Sequence, residues 1–165
     1  MNIIAETPRL IIRYFEPEEL ETYLSLYEDE RVMQYLPKWT RDDHIRVFNE
    51  SVIRSSPGSI TGRWGIFNKQ DGDFIGMCLL RLFDDGSESI ELGYALRHAY
   101  WGKGVAGEMA QALLDTMLAI QPGTRFVAVT EFGNIPSQKV LEKVGMQRSG
   151  NYVRKGIDLA LFIRD

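Results

Sequence analysis

The 165-residue sequence has few of the residues that build disulfides and metal centres: one cysteine and two histidines. A single cysteine excludes an internal disulfide and is typical of a reducing cytoplasm. Cys78 lies in the apolar run 75–80, which predicts a buried, inert thiol. His44 and His98 are predicted to lie at the surface. Because no Cys and His residues cluster at ligand spacing, we expect no metal site.

Long apolar runs and an excess of positive charge are also lacking. No segment reaches the roughly 20 apolar residues of a membrane span, and the polar start of the chain is unlike a signal peptide. A net charge of −4 argues against general nucleic-acid binding. We therefore expect a cytoplasmic monomer or homodimer without nucleic-acid or membrane partners.

Negative charge is concentrated in one segment. Residues 16–30 contain seven carboxylates and no Lys or Arg. One interpretation is a solvated helix face. The other is an acidic lip that attracts a cationic amine substrate.

Apolar periodicity divides the chain into helices and strands, with no internal repeat or linker. Helical spacing predicts helices over Pro17–Tyr27, Val32–Leu36, Arg41–Ser55, Val105–Ile120 and Pro136–Val144. Apolar and β-branched runs between turns predict strands over Leu10–Arg13, Arg63–Asn68, Phe74–Phe83, Ser89–Leu96, Phe126–Thr130, Gln147–Arg154 and Asp158–Arg164. We expect one α/β domain over 1–165, of mixed α+β type. Its sheet should be mixed, mostly antiparallel and of about seven strands, with helices on both faces.

The most informative segment is the glycine-rich run Tyr100–Gly107, which lies between a predicted strand and the longest predicted helix. A glycine-rich turn that opens a helix presents unpaired backbone N–H groups at the positive end of the helix dipole. This arrangement binds phosphate oxygens. Lys103 adds a mobile charge at the rim. The segment therefore predicts a phosphorylated cofactor.

Two common nucleotide motifs fit this segment poorly. Residues 102–107 match G-x-G-x-x-G, but a dinucleotide site needs the first glycine at the end of a strand in repeated βαβ units. Here Arg97–Trp101 intervenes and only one βαβ unit follows, although Glu131 stands where an acidic residue is expected. A Walker loop fails because Gly104, and no Ser or Thr, follows Lys103.

A third motif fits. Trp101–Ala106 resembles the Q/R-x-x-G-x-G/A pyrophosphate loop of the GNAT (GCN5-related N-acetyltransferase) family, with Trp101 in place of Gln or Arg. Three further segments resemble the ribosomal-protein N-terminal acetyltransferase branch, the RimJ/RimL type, in the same order. Thr7–Arg13 matches its opening strand, Glu91–Leu96 its cofactor-side strand, and Asn134–Met146 its Asn-x-x-Ser helix and closing turn.

The resemblance implies a GNAT fold with acetyl-CoA as co-substrate and no metal. In this family the pantetheine lies between two splayed parallel strands, which here correspond to Glu91–Leu96 and Phe126–Thr130. The implied cofactor-binding residues are Tyr94, Ala95, Leu96, Trp101, Gly102, Lys103, Gly104, Val105, Ala106, Gly107, Asn134 and Ser137. Asn134 could hold the pantetheine amide or cap the following helix.

Two residues are candidates for catalysis. Glu91 could act as general base on the attacking amine through a water, or it could only face solvent. Many GNAT enzymes have a Tyr acid at the position of Leu141. In the RimJ/RimL type a serine, here Ser137, is implied to serve the thiolate, with a helix-start hydroxyl as its alternative role.

The predicted function is an acetyl-CoA-dependent N-acetyltransferase that moves an acetyl group to a primary amine by direct attack in a ternary complex. A protein or peptide N-terminus is one acceptor. A small-molecule amine (polyamine, amino acid or aminoglycoside) is the alternative, and a non-catalytic acyl-CoA sensor or a dinucleotide-binding module are others. Acceptor specificity is expected to lie in segments 17–55 and 58–64.

Overall fold

Apolar runs separated by tight turns form an eight-stranded sheet in the part of the chain that the structure, a computed structural model, describes: residues 2–54, 56 and 58–165. The strands are β1 (Ile3–Glu6), β2 (Leu10–Arg13), β3 (Gly62–Asn68), β4 (Phe74–Leu82), β5 (Ile90–Leu96), β6 (Phe126–Thr130), β7 (Gln147–Arg154) and β8 (Ile157–Arg164). Their order in the sheet is β1-β2-β3-β4-β5-β6-β8-β7. Every neighbouring pair is antiparallel except β5 with β6, so the predicted mixed, mostly antiparallel sheet is confirmed.

The sheet has one strand more than the sequence predicts. The additional strand is β1, a four-residue edge strand that pairs antiparallel with β2. Only Ala5 of β1 is buried, so its alternation is too short to signal a strand.

The parallel pair separates soon after it forms. β5 and β6 pair only at Ile90 with Phe126 and at Glu91 with Val127. Beyond that point β5 stays bonded to β4, and β6 stays bonded to β8, over their remaining lengths. A wedge therefore opens between residues 92–96 and 128–130, and the backbone groups that face into it have no partner strand.

The helices of the described chain lie close to their predicted positions. They are α1 (Leu20–Ser25), α2 (Glu30–Met33), α3 (Arg41–Ile53), α4 (Val105–Ile120) and α5 (Ile135–Lys143). α1 is shorter than predicted because short 3-10 turns replace its two ends. The predicted end of α3 at Ser55 lies outside the described residues. In the described ranges no helix has both the length and the hydropathy needed to cross a bilayer.

The sheet separates two apolar layers, because alternate residues of its strands point to opposite faces. Cys78 and Leu80 of β4 pack in the layer that contains α4 and α5, where Cys78 is buried as predicted. Met77 of β4 packs in the other layer, an aromatic cluster around Phe15 and Phe48 that holds α1 and α3. Helices thus cover both faces and frame the wedge.

Candidate active site

The glycine-rich loop has the backbone that the sequence predicts for a phosphate site. Gly104 is the residue before α4 and has a φ of 75°, in the left-handed region. The first-turn N–H groups of α4 have no carbonyl partner within the helix, so they are available to an anion. A β-carbon at Gly104 would lie 3.6 Å from Arg9 Nη2, in a conformation that L residues rarely adopt.

Thr7 and Arg9, in the segment before β2, bind the loop and the first turn of α4, and we call these contacts the clasp. Nothing in the sequence signalled this role. Arg9 Nη1 donates to the Lys103 carbonyl (2.9 Å), and Arg9 Nη2 forms an ion pair with Glu108 on α4 (2.6 Å). Thr7 Oγ1 donates to the same carboxylate. Burial raises the pKa of Glu108, but the hydrogen bonds from Thr7 and Arg9 outweigh it, and the net shift is downward. The carboxylate therefore stays ionised and holds Arg9 against the loop.

A cavity of about 450 Å³, here called the loop cavity, extends from this loop to residues 94–96 at the carboxyl-terminal end of β5. Every cofactor residue implied by the resemblance lines it except Lys103, whose side chain is exposed. The lining includes Tyr94, Ala95, Leu96, Trp101, Gly102, Gly104, Val105, Ala106, Gly107, Asn134 and Ser137. Tyr35 and Leu36, which follow α2, also line it and had no signal in the sequence. The structure thus brings the predicted residues together, and their binding role stays a prediction.

A second cavity of about 200 Å³ lies in the wedge itself, lined by residues 92–95 of β5 and 128–130 of β6. We call it the arginine cavity, because Arg63, Arg81 and Arg154 line it. Tyr35, Leu36, Tyr94, Ala95, Asn134 and Ser137 line both cavities. The two cavities therefore meet beside the carboxyl-terminal half of β5.

Two hydroxyl groups stand at this junction. Tyr94 Oη donates to Ser137 Oγ at 3.2 Å. Burial raises the pKa of Tyr94, and the hydrogen bond to Ser137 lowers it by less. Tyr94 therefore keeps its proton at neutral pH and donates a hydrogen bond to Ser137.

Asn134 caps α5. Its Oδ1 accepts a hydrogen bond from the backbone N–H of Ser137 at 3.3 Å, one of the two roles predicted for it. This leaves the Ser137 hydroxyl free to bond Tyr94. Leu141, at the position of the Tyr acid found in many GNAT enzymes, is buried.

The Glu91 carboxylate is buried and does not face solvent. Its Oε2 accepts from Arg154 Nη1 at 2.9 Å, and its Oε1 accepts from Arg154 Nη2 at 2.9 Å and from Arg81 Nε at 3.1 Å. Arg154 also donates to Asp84 (2.8 Å), and mainly this contact lowers the pKa of Asp84 to about 2. Both oxygens of Glu91 are therefore occupied by guanidinium groups.

Of the two interpretations of the acidic segment 16–30, the structure favours the solvated helix face over the acidic lip. None of the seven carboxylates in 16–30 is among the described residues that line the arginine cavity. Some are neutralised by arginines nearby: Glu19 pairs with Arg13 (2.6 Å) and Glu21 with Arg41 (3.1 Å). The cavity instead has three arginines and a single carboxylate, Glu91.

His44 was predicted to lie at the surface, and this prediction is wrong. The residue is only 5% exposed and lines the arginine cavity. Its ring stacks on Tyr27 (centroids 3.9 Å apart) and contacts Trp39. Neither ring nitrogen has a hydrogen-bond partner in the described chain. Burial, assisted by the charge of Arg63, lowers the pKa of His44. Its position one helical turn before the buried Phe48 is the sequence signal that would have placed it inside.

Comparisons with known proteins agree with this geometry. Residues 9–147 match the family model for the acetyltransferase (GNAT) domain. The chain therefore belongs to the GNAT acetyltransferase family, and the resemblance drawn from its four motifs is confirmed. GNAT enzymes use acetyl-CoA, and this chain is an N-acetyltransferase of that family.

Among its relatives, the uncharacterized N-acetyltransferase YnaD of Bacillus subtilis is 28% identical over 146 residues, which cover 87% of this chain and 82% of YnaD. The crystal structure of a GNAT-family acetyltransferase from Bacillus anthracis superposes with a TM-score of 0.77 at 27% identity, covering 99% of this chain and 96% of that one. The ribosomal L7/L12 α-N-protein acetyltransferase RimL, in complex with coenzyme A, has the same fold (TM-score 0.79, 17% identity, 99% and 97% covered).

The loop geometry predicts how cofactor affinity responds to substitution. Gly104→Val should raise the Kd for coenzyme A at least about tenfold, since it strains the backbone and obstructs the approach of the pyrophosphate. Lys103→Ala should change it far less, because backbone N–H groups carry the contact. Isothermal titration calorimetry measures both.

Gly123→Val is the matched control, because Gly123 also has a positive φ (83°) but lies beyond the other end of α4. Its Kd should stay near that of the wild type. Equal affinity of Gly104→Val and Gly123→Val for coenzyme A would refute the placement of the pyrophosphate.

Proposed function

We propose that the chain transfers the acetyl group of acetyl-CoA to a primary amine by direct attack in a ternary complex. The observation that carries this proposal is the meeting of the two cavities at Tyr94 and Ser137. The cofactor occupies the loop cavity and the acceptor occupies the arginine cavity. The thioester carbon then lies at the junction, open to an amine from the other side.

On the cofactor side, the backbone does most of the binding. The pyrophosphate rests on the N–H groups of Lys103–Gly107. The pantetheine follows the unpaired edge at residues 94–96, which line the loop cavity and whose backbone groups need partners that a strand would otherwise supply. The side-chain amide of Asn134 donates to the pantetheine from the opposite wall, since its oxygen already caps α5.

Direct attack is favoured over an acetylated-enzyme intermediate. The chain has one cysteine, Cys78, and it is fully buried in the α4 layer. Burial raises the pKa of this thiol far above neutrality, so it is not a thiolate. It lines neither cavity, so it is not placed to carry the acetyl group, which favours transfer from the cofactor to the amine itself.

A thiol-release assay tests the proposed reaction. Protein and acetyl-CoA are incubated with and without a panel of primary amines, and free coenzyme A is titrated with a chromogenic disulfide. We expect release that depends on the amine. Binding of acetyl-CoA without release for any amine would identify a sensor, and preference for NAD over coenzyme A would identify a dinucleotide module.

The hydroxyl pair at the junction serves the departing thiolate. Ser137 donates a hydrogen bond to the sulfur and accepts one from Tyr94, which burial keeps protonated. Because a serine hydroxyl is a weak acid, the pair stabilises the thiolate by hydrogen bonding and not by full proton transfer.

Because the two hydroxyls act in series, their removal should not be additive. We expect Ser137→Ala and Tyr94→Phe each to lower kcat roughly tenfold, and the double variant to be no slower than the worse single one. Tyr14→Phe is the control, since Tyr14 Oη bonds the carbonyl of Ser56, outside both cavities. Fully additive losses in steady-state kinetics would show that the two hydroxyls act independently.

Glu91 was predicted as the general base, and its surroundings favour a different role. Two guanidinium groups bond both of its oxygens, so the carboxylate is engaged with Arg81 and Arg154 and is not presented to an attacking amine. An α-amino group with a pKa near 8 needs little help to lose its proton. We propose that Glu91 positions Arg81 and Arg154 at the cavity wall.

Glu91→Gln should therefore destabilise the protein, by about 2–3 kcal/mol, without changing the shape of the pH profile of kcat/KM. Loss of an anionic partner between Arg81 and Arg154 is the cause. Asp84→Asn, which removes the exposed partner of Arg154, should cost less. Chemical denaturation and pH–rate profiles are the measurements. An unchanged stability together with a rate lost mainly at low pH would restore the role of general base.

A further inference from the structure

Arg63 brings a positive charge into the arginine cavity that no carboxylate of the described chain neutralises. Its one hydrogen-bonding contact is from Nη1 to Met77 Sδ at 3.9 Å, a weak acceptor. Arg81 and Arg154 differ, because both are paired with Glu91 and Arg154 also with Asp84. The cavity therefore keeps one uncompensated guanidinium, which is half-buried on β3.

His44 gives a second, independent indication of a polar ligand. A neutral imidazole has one donor and one acceptor nitrogen, and here both are buried without a partner. Leaving a buried polar group unsatisfied costs about 1–3 kcal/mol. The ring is fixed against Tyr27 and cannot turn to solvent, so a group bound in the cavity is what would satisfy it.

From these two residues, with the proposed acetyl transfer as the basis, we infer that the acceptor is an amine that also carries a carboxylate. Arg63 binds the carboxylate, for which the planar guanidinium offers two parallel N–H donors. His44 donates to the same group or accepts from a neighbouring N–H. A polyamine or aminoglycoside would instead bring further positive charge toward Arg63 and be repelled.

The sheet register places this anchor at a short distance from the reaction. The Arg63 guanidinium contacts Met77, and Met77 is paired with Ala95, which lines both cavities. Neighbouring strands are about 4.8 Å apart, so the anchor lies roughly one strand spacing from β5. In the next row, Leu79 pairs with both Arg63 and Gly93 and packs over Gly93, and these residues also line the cavity. The arrangement suits a compact amino acid, with few bonds between its amine and its carboxylate.

The experiment compares free L-amino acids with their α-carboxamides, which keep the amine and remove the charge. We expect the wild type to show kcat/KM at least about tenfold higher for the best acid than for its amide. Arg63→Gln should remove this preference by raising KM for the acid, with the amide and coenzyme A affinity unaffected. Arg63→Lys should restore part of it.

Arg46→Gln is the matched control, because Arg46 is an exposed arginine on α3 that pairs only with carboxylates of its own helix. It should keep the preference for the acid. Equal rates for acids and amides in the wild type, or an equal loss for both in Arg63→Gln, would overturn the inference. Efficient acetylation of spermidine or of peptide N-termini in preference to free amino acids would overturn it as well.

A binding arm separates this inference from the proposed reaction. The protein saturated with coenzyme A is titrated calorimetrically with the acid and with the amide. Binding of the acid that requires Arg63, without thiol release, would support the carboxylate site and refute the transferase proposal. Turnover of amines that does not depend on Arg63 would support the transferase proposal and refute the carboxylate site.

Discussion

The parting of β5 and β6 is the constraint on which the site depends. After two paired residues, each strand keeps its outer partner and loses its inner one. Buried backbone N–H and C=O groups need hydrogen-bond partners. The unpaired inner edges of β5 and β6 are therefore suited to an extended ligand that bonds them as a strand would. Hydrogen bonds to β4 and β8 keep the outer edges of β5 and β6 in place, so the two strands stay ordered where they part. The arginine cavity fills this wedge and meets the loop cavity at its open end, so cofactor and acceptor can approach the same point.

The charged cluster at the apex of the wedge fixes where the strands part. Glu91 is the last residue of β5 that pairs with β6, and its carboxylate is gripped by Arg81 of β4 and Arg154 of β7. The cluster ties the β7–β8 hairpin to the centre of the sheet through side chains. It also cancels its own charge, because Asp84 balances the second arginine. The electrostatic character of the cavity is thereby left to Arg63, a residue outside the cluster.

Most of the fold could be predicted from patterns of residues adjacent in sequence. The features that were not predicted depend on contacts between residues far apart in sequence. Asp-Gly turns and helical spacing gave the strands and helices, and the glycine pattern gave the loop, because each depends on residues adjacent in sequence. His44 and Arg63 lie on different elements, α3 and β3, and only the folded structure shows that they line the same cavity. The two interpretations of the acidic segment could not be separated for the same reason: composition counts carboxylates but does not show that Glu19 pairs with Arg13 or that Glu21 pairs with Arg41.

The clasp of Arg9 on the glycine-rich loop links the cofactor to the far edge of the sheet. Arg9 lies just before β2, and β2 carries β1, the exposed edge strand. Edge strands fray first and are the places where chains pair wrongly with one another. Linked equilibria are reciprocal. A ligand that orders the loop therefore also stabilises the contacts of Arg9, and fraying of the edge strand weakens ligand binding. Occupancy of the cofactor site is therefore coupled, through Arg9 and β2, to the order of this edge of the sheet.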